Sequence, residues 1–268
     1  MAPLEPDPPR LYGELAWLFP IITPLEHYLE ESELLCRTIR ELCPIPVQSV
    51  LHLGCGAGHN DFVLKRHFAL TGIDQSEVMI ESARKLNPEV DYRLADMRQL
   101  EGLEQLGLSG LEGRFQAVVC LDALDYLQSE DELIRTFRGV HRCLEPGGVF
   151  VFAVQDTRET YRHNHTSHWS KTQGEVEVTV IENSFDPEPR DTTYEYTLVY
   201  LIRNKGALQI ETDRHLCGLF PEATFVCLLE ESGFQASRRQ WEPPEEAFEY
   251  TGDGQRRSWP LFVGIRSR

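Results

Sequence analysis

The sequence predicts an α/β protein built on a doubly wound sheet of seven strands, mostly parallel with an antiparallel last strand, plus an inserted antiparallel layer. Three observations predict it. Strand-like runs alternate with helical patterns from Ser49 to Val154. Two of those runs, Gln116–Leu121 and Val149–Val154, are apolar almost throughout, as suits parallel strands covered on both faces. A glycine-rich turn, Gly54–Gly58, closes the first run. Alternation of this kind folds through right-handed crossovers, which gather the turns after each strand at one edge of the sheet.

The elements follow in order. Met1–Arg10 holds four prolines and little to bury, so it is expected to be disordered. The domain then spans 11–268. Leu11–Leu42 reads as helical, with Leu15, Leu18, Ile22, Leu25, Leu29 and Leu35 at roughly helical spacing. Pro20 and Pro24 are expected to split it, and Pro44 and Pro46 to end it. Ser49–Leu53 is a strand, Phe62–Phe68 a helix, Leu70–Asp74 a strand, Glu77–Leu86 a helix and Asp91–Leu94 a strand. Phe115–Leu121, the helix Asp131–Leu144 and the strand Val149–Val154 complete that series. The texture then changes. Glu175–Ile181, Thr193–Ile202 and Ala207–His215 alternate polar and apolar residues without an intervening helix. They predict an antiparallel layer over residues 156–215, a lid or wall over the site. Pro221–Gly233 reads as a helix, and Phe234–Trp241 and Leu261–Ile265 as the last two strands.

Composition narrows the partners. Forty-three acidic residues against 26 basic give a formal net charge of −17, which speaks against nucleic acid and anionic membrane as partners. Seven scattered cysteines, with no CxxC pair, read as reduced thiols of a cytoplasmic protein. No basic-then-apolar leader opens the sequence. No apolar run approaches the ~18 residues that span a bilayer. A homodimer is left open.

The turn carries the chemistry. In Val50-Leu-His-Leu-Gly-Cys-Gly-Ala-Gly58, three alternating glycines end a strand, and glycine lets the backbone take positive φ and approach a ligand closely. Asp74 ends the next strand, where a carboxylate can accept hydrogen bonds from a ribose diol. GxGxG rather than GxGxxG fits a nucleoside without a pyrophosphate, and disfavours a nicotinamide-dependent oxidoreductase. S-adenosyl-L-methionine (SAM) is such a nucleoside.

Over nearly its whole length the chain resembles the class I SAM-dependent methyltransferases, whose fold is Rossmann-like. The resemblance runs through five segments in order: Leu53–Gly58, Gly72–Asp74 with Ser76 and Met79, Ala95–Arg98, Phe115–Tyr126 and Leu144–Gly148. It is similar more closely to small-molecule N-methyltransferases, the amino-sugar N,N-dimethyltransferases above all and glycine N-methyltransferase more loosely. The segments Leu11–Ala16, Asp213–Phe220 and Leu261–Ile265 carry that similarity. The resemblance implies SAM as methyl donor and S-adenosyl-L-homocysteine (SAH) as product. It implies that Tyr12, Gly54, Cys55, Gly56, Asp74, Gln75, Asp96, Met97 and Leu121 meet SAM, with Tyr12 closing over it. One departure stands out: the family's acid two residues before the first glycine, which helps hold the methionyl end of SAM, is replaced by His52. Either His52 is a packed core histidine or it makes a ligand contact.

Methyl transfer from a sulfonium is an in-line displacement, so the enzyme mainly aligns the reacting atoms and frees the nucleophile of its proton. The candidates for that work are Asp122, Tyr12 and His215, the last a base, an orienting group or a packed histidine. Asp125, Tyr126, His168 and Trp169 are expected to bind the acceptor. His163, His165 and His168 lie in an expected loop, and no metal is assigned to them. The reading is an enzyme that methylates N or O of a small-molecule acceptor; the alternative is a catalytically silent SAM-binding regulatory or scaffold protein.

Overall fold

The computed structural model describes residues 8–104, 108–241 and 259–267. Most of Met1–Arg10 therefore lies outside the described residues. Arg10 itself opens a 3-10 turn, Arg10–Tyr12. A second such turn, Ala16–Leu18, leads into α1 (Phe19–Ile22), and a third, Leu25–Tyr28, into α2 (Leu29–Leu42). Pro20 does not break the chain here. It sits in the first turn of α1, where a backbone N–H would have no partner anyway.

The strand–helix series follows. It comprises β1 (Ser49–Leu53), α3 (Asp61–Leu64), β2 (Ala69–Asp74), α4 (Glu77–Leu86), β3 (Asp91–Leu94), β4 (Phe115–Leu121), α5 (Glu130–Cys143) and β5 (Leu144–Ala153). Four antiparallel strands come next: β6 (His165–Gln173), β7 (Val176–Phe185), β8 (Thr193–Asn204) and β9 (Ala207–Gly218). The chain closes with α6 (Glu222–Glu231), β10 (Phe234–Trp241) and β11 (Trp259–Arg266). The large sheet has the order β10-β11-β5-β4-β1-β2-β3. β1 to β5 pair in parallel, and β11 runs antiparallel between β5 and β10.

The sheet is covered on both faces because successive side chains of a strand point opposite ways. Leu51, Val118, Phe150 and Phe152 pack with Phe137 of α5 and Leu229 of α6. Val50, Ala117, Val119 and Val151 pack with Leu35 and Ile39 of α2. Phe152 is fully buried, and truncating it to Ala would cost about 3–5 kcal/mol. A third core joins the start of the chain to the small sheet, with Leu11, Leu15 and Leu18 against Val178, Val180, Leu198 and Tyr200.

The sequence reading missed β6. Its alternation sets His165, Ser167 and Trp169 on one face and Thr166, His168 and Ser170 on the more exposed one, so both faces are largely polar. Without an apolar stripe there is no period-2 signal to read. The small sheet thus has four strands, not three.

Candidate active site

At the carboxyl edge of the large sheet lies a cavity of about 1160 Å³. The turn after β1 forms its floor. Gly54, Gly56 and Gly58 have φ of +62°, +52° and +78°, a region where a Cβ is unfavourable. A Cβ at Gly54 would stand 2.2 Å from that of Ala123, so this glycine lets two turns touch. At Gly56 a Cβ would meet nothing within 4 Å, because that space belongs to the cavity. Asp74, ending β2, steadies the turn. Its Oδ2 accepts from Gly56 N at 2.9 Å and its Oδ1 from Ser76 N at 2.8 Å, so each oxygen keeps a further acceptor site. Burial pushes its carboxyl above the usual range against the lowering pull of those bonds. Asp96 caps the turn after β3 and pairs with Arg98, Oδ2 to Nη2 at 2.8 Å.

The cavity's upper wall comes from the start of the chain. Ser76 Oγ donates to the Tyr12 carbonyl at 2.6 Å. Tyr12 Oη lies 2.9 Å from Tyr126 Oη, which lies 2.7 Å from His215 Nδ1. His215 Nε2 in turn stands 3.0 Å from Asp213 Oδ2, a charge contact without good hydrogen-bond angles. Asp213 also accepts from the backbone N–H groups of Arg10 (2.9 Å) and Leu11 (2.7 Å). Burial raises its pKa, but the His215 contact and those N–H donors outweigh it and hold the carboxyl below its ordinary value.

A second cavity, about 290 Å³, adjoins the first; Thr23, Tyr28 and Asp122 line both. Its wall includes Glu31, Asp156 and Glu182, and no Lys or Arg among the described residues. Trp169 closes one side, its Nε1 donating to Glu182 at 3.3 Å, while Ser167 Oγ donates to the same carboxylate at 3.0 Å. Asp122 follows β4 in the left-handed region, φ +56°, a conformation a non-glycine residue holds at some cost. Surrounding protein pushes its carboxyl up to about 6, although water still reaches it inside the cavities. Burial, with the Asp122 charge added, raises Glu31 to about 8.

Residues 50–148 match the model of a methyltransferase domain family. A dTDP-3-amino-3,4,6-trideoxy-alpha-D-glucopyranose N,N-dimethyltransferase of Streptomyces venezuelae is 26% identical over 240 residues, covering 89% of this chain and 91% of its own. DesVI of Streptomyces venezuelae, a solved structure, superposes with a TM-score of 0.76 at 22% identity, covering 98% of this chain and 100% of that one. SAM-bound CalS10, an amino pentose methyltransferase from Micromonospora echinaspora, superposes with a TM-score of 0.73 at 20% identity, covering 90% and 92%. The chain carries a methyltransferase domain and has the fold of SAM-dependent methyltransferases. It is an enzyme that uses SAM, and the catalytically silent alternative finds no support.

The methyltransferase gathers most of the residues singled out in its sequence. Tyr12, Gly54, Cys55, Gly56, Asp74, Gln75, Asp96, Met97, Leu121, Asp122 and Tyr126 all line the larger cavity, and Trp169 the smaller. Three do not fit their expected place. His168 faces solvent, because strand alternation turns it opposite to Trp169. Asp125 is buried outside both cavities, its Oδ1 accepting from Gln155 N at 2.9 Å. Burial, then the Asp122 charge, raises its carboxyl to about 8. His215 lines neither cavity; it reaches the larger one through the Tyr126 hydroxyl and the ring of Tyr12. Glu31, Asp156, Glu182 and Tyr28 were missed. They come from α2 and the turn before it, the segment after β5 and the small sheet, and no local motif marks them. All seven cysteines are free, six of them buried. Among the described residues no helix is long and apolar enough to cross a membrane.

Proposed function

We propose that this methyltransferase transfers the SAM methyl group to the nitrogen of a small amine, which enters the smaller cavity and meets the donor at Asp122. The observation that carries the reading is the shared wall: one carboxylate, Asp122, borders both cavities, and the smaller is lined by acids and aromatics with no Lys or Arg among its described residues. Such a lining suits an ammonium or amine, through carboxylates and the face of Trp169. It suits a diphosphate poorly.

The larger cavity fits SAM on its own terms. The open Cβ position of Gly56 leaves room for a ligand against the turn. Asp74 keeps acceptor capacity on both oxygens for the ribose diol, and Asp96 and Met97 line the cavity where the adenine would lie. When bound, SAM supplies a methyl carbon already activated on sulfonium. The protein's own residues do the rest. Asp122, ionised above about pH 6, holds the acceptor's ammonium and takes the proton it must shed before its nitrogen can attack. Glu182, fixed by Trp169 and Ser167, orients the remainder of the acceptor. Tyr12 and Tyr126 close the wall, with His215 and Asp213 holding Tyr126 in place.

Calorimetric titration with SAM and SAH tests the donor site. Micromolar binding in the wild type, weakened at least about tenfold in Asp74→Ala by loss of the ribose contacts, is expected. Unchanged affinity in Asp74→Ala would refute this donor placement. A screen of amines, alcohols and phosphorylated amines with methyl-labelled SAM tests the acceptor class. Turnover confined to alcohols or phosphorylated acceptors would overturn the amine reading.

A further inference from the structure

We infer that His52 and Asp61 act as a unit that holds the α-ammonium group of the donor's methionyl end. His52 would accept the hydrogen bond at Nε2, and Asp61 is the positioning residue behind it. The inference rests on the SAM reading above.

His52 sits near the end of β1, two residues before the glycine turn, and borders the larger cavity. It is 1% exposed and Asp61 is 0% exposed. Its Nδ1 donates to Asp61 Oδ1 at 2.6 Å. The other carboxylate oxygen, Oδ2, accepts from Tyr92 Oη at 2.8 Å, and Tyr92 Oη accepts from Asn87 Nδ2 at 2.9 Å. Asp61 thus has a donor on each oxygen, which puts a His52 proton on Nδ1; in the neutral ring Nε2 is then the acceptor. That Nε2 is buried with no hydrogen-bond partner among the described residues. Buried polar groups are almost always paired, so an acceptor left open beside a ligand cavity marks a ligand contact.

Position along the sheet says which part of the ligand it meets. Asp96 follows β3, Asp74 ends β2, and β1 is next in the order. Adenine and ribose take the first two stations, so the chain beyond the ribose runs toward β1. What waits there is an acceptor backed by a buried negative charge, which is the complement of an ammonium rather than a carboxylate. The carboxylate absent from position 52 is thereby supplied from the first turn of α3, one ring's length farther back.

The test uses His52→Asn, whose amide N–H can replace Nδ1 toward Asp61 while nothing replaces Nε2. Three probes are titrated calorimetrically: SAH, its decarboxylated counterpart that keeps the amine, and 5′-methylthioadenosine, which lacks the amino-acid end. His52→Asn should weaken SAH and the decarboxylated probe by about 10- to 100-fold and leave methylthioadenosine within about twofold. Asp61→Asn should lower the SAH-to-methylthioadenosine affinity ratio in the same direction. Unchanged SAH affinity in His52→Asn would overturn the inference. So would an equal loss for methylthioadenosine, which would make the ring merely structural. A loss for SAH but not for its decarboxylated counterpart would place Nε2 on the carboxylate and also overturn it. If the wild type bound none of the three, the donor reading itself would fall, a result distinct from the others.

Discussion

Gly54 and Gly56 lie two residues apart in the same turn, and alanine at each should fail for a different reason. Both hold positive φ, so alanine costs about 1–2 kcal/mol of backbone strain at either position. At Gly56 the new methyl meets nothing within 4 Å, and the fold should lose no more than that strain, on the order of 2–4 °C in Tm. At Gly54 it stands 2.2 Å from Ala123 Cβ, so one turn must move. Overpacking of this kind adds about 1–3 kcal/mol and brings the loss to roughly 4–10 °C. Binding should follow a different pattern. The Gly56→Ala methyl projects into the space the donor would use, so SAH affinity should fall about 10- to 100-fold in a nearly intact protein. Thermal melts with and without SAH, together with calorimetry, separate the two effects. If Gly56→Ala melts as low as Gly54→Ala, the space is not a ligand's. If it binds SAH like the wild type, the donor does not cross this turn.

Three further perturbations probe the chemistry and its supports. Turnover of an amine acceptor should fall as pH drops through about 6, where Asp122 gains its proton, and Asp122→Asn should be slow throughout and lack that limb; an Asp122→Asn profile with the same limb would remove Asp122 from the proton transfer. His215→Ala and Tyr126→Phe should each lower kcat more than SAH affinity, and the double variant should be little worse than either because His215 acts through the Tyr126 hydroxyl; full additivity would show two independent roles. Asp125 has its folded pKa raised to about 8, so the folded state binds the extra proton between the ordinary carboxylate pKa and pH 8 and loses stability as pH rises through that window. Asp125→Asn, which can still accept from Gln155 N, should therefore raise Tm at pH 8 and leave it little changed at pH 4; an equal gain at both would contradict the raised pKa.

Much of this architecture was legible from the residues alone, where burial on one or both faces wrote a period into the sequence. β1, β3, β4 and α4 fall where apolar runs and capping residues put them, Ser76 accepting from Met79 N at the head of α4. The donor cavity was legible too, because its floor is one contiguous turn and its acid lies at the end of the next strand. The smaller cavity was not. Its walls are assembled from α2 and the turn before it, the segments after β4 and β5, the small sheet and β11, so its carboxylates are neighbours only in space. His168 and Trp169 show the same limit in miniature, since residues adjacent in sequence lie on opposite faces of β6 and a strand polar on both faces leaves no period to tell them apart. His52 stood out as a departure, but its partner Asp61 could be found only once α3 was seen to bring it back to β1.

The bonds from Arg10 and Leu11 N–H to Asp213, and from Ser76 to the Tyr12 carbonyl, tie the first described residues across the larger cavity. A nucleoside that left on that side would have to pass this short stretch. Its residence time would then depend on how often a few hydrogen bonds part together as well as on its own contacts, an opening that hydrogen exchange at Arg10 and Leu11 would time directly. The spent donor and residues 8–13 would share one clock, and where that opening is the slow step turnover would run at its pace.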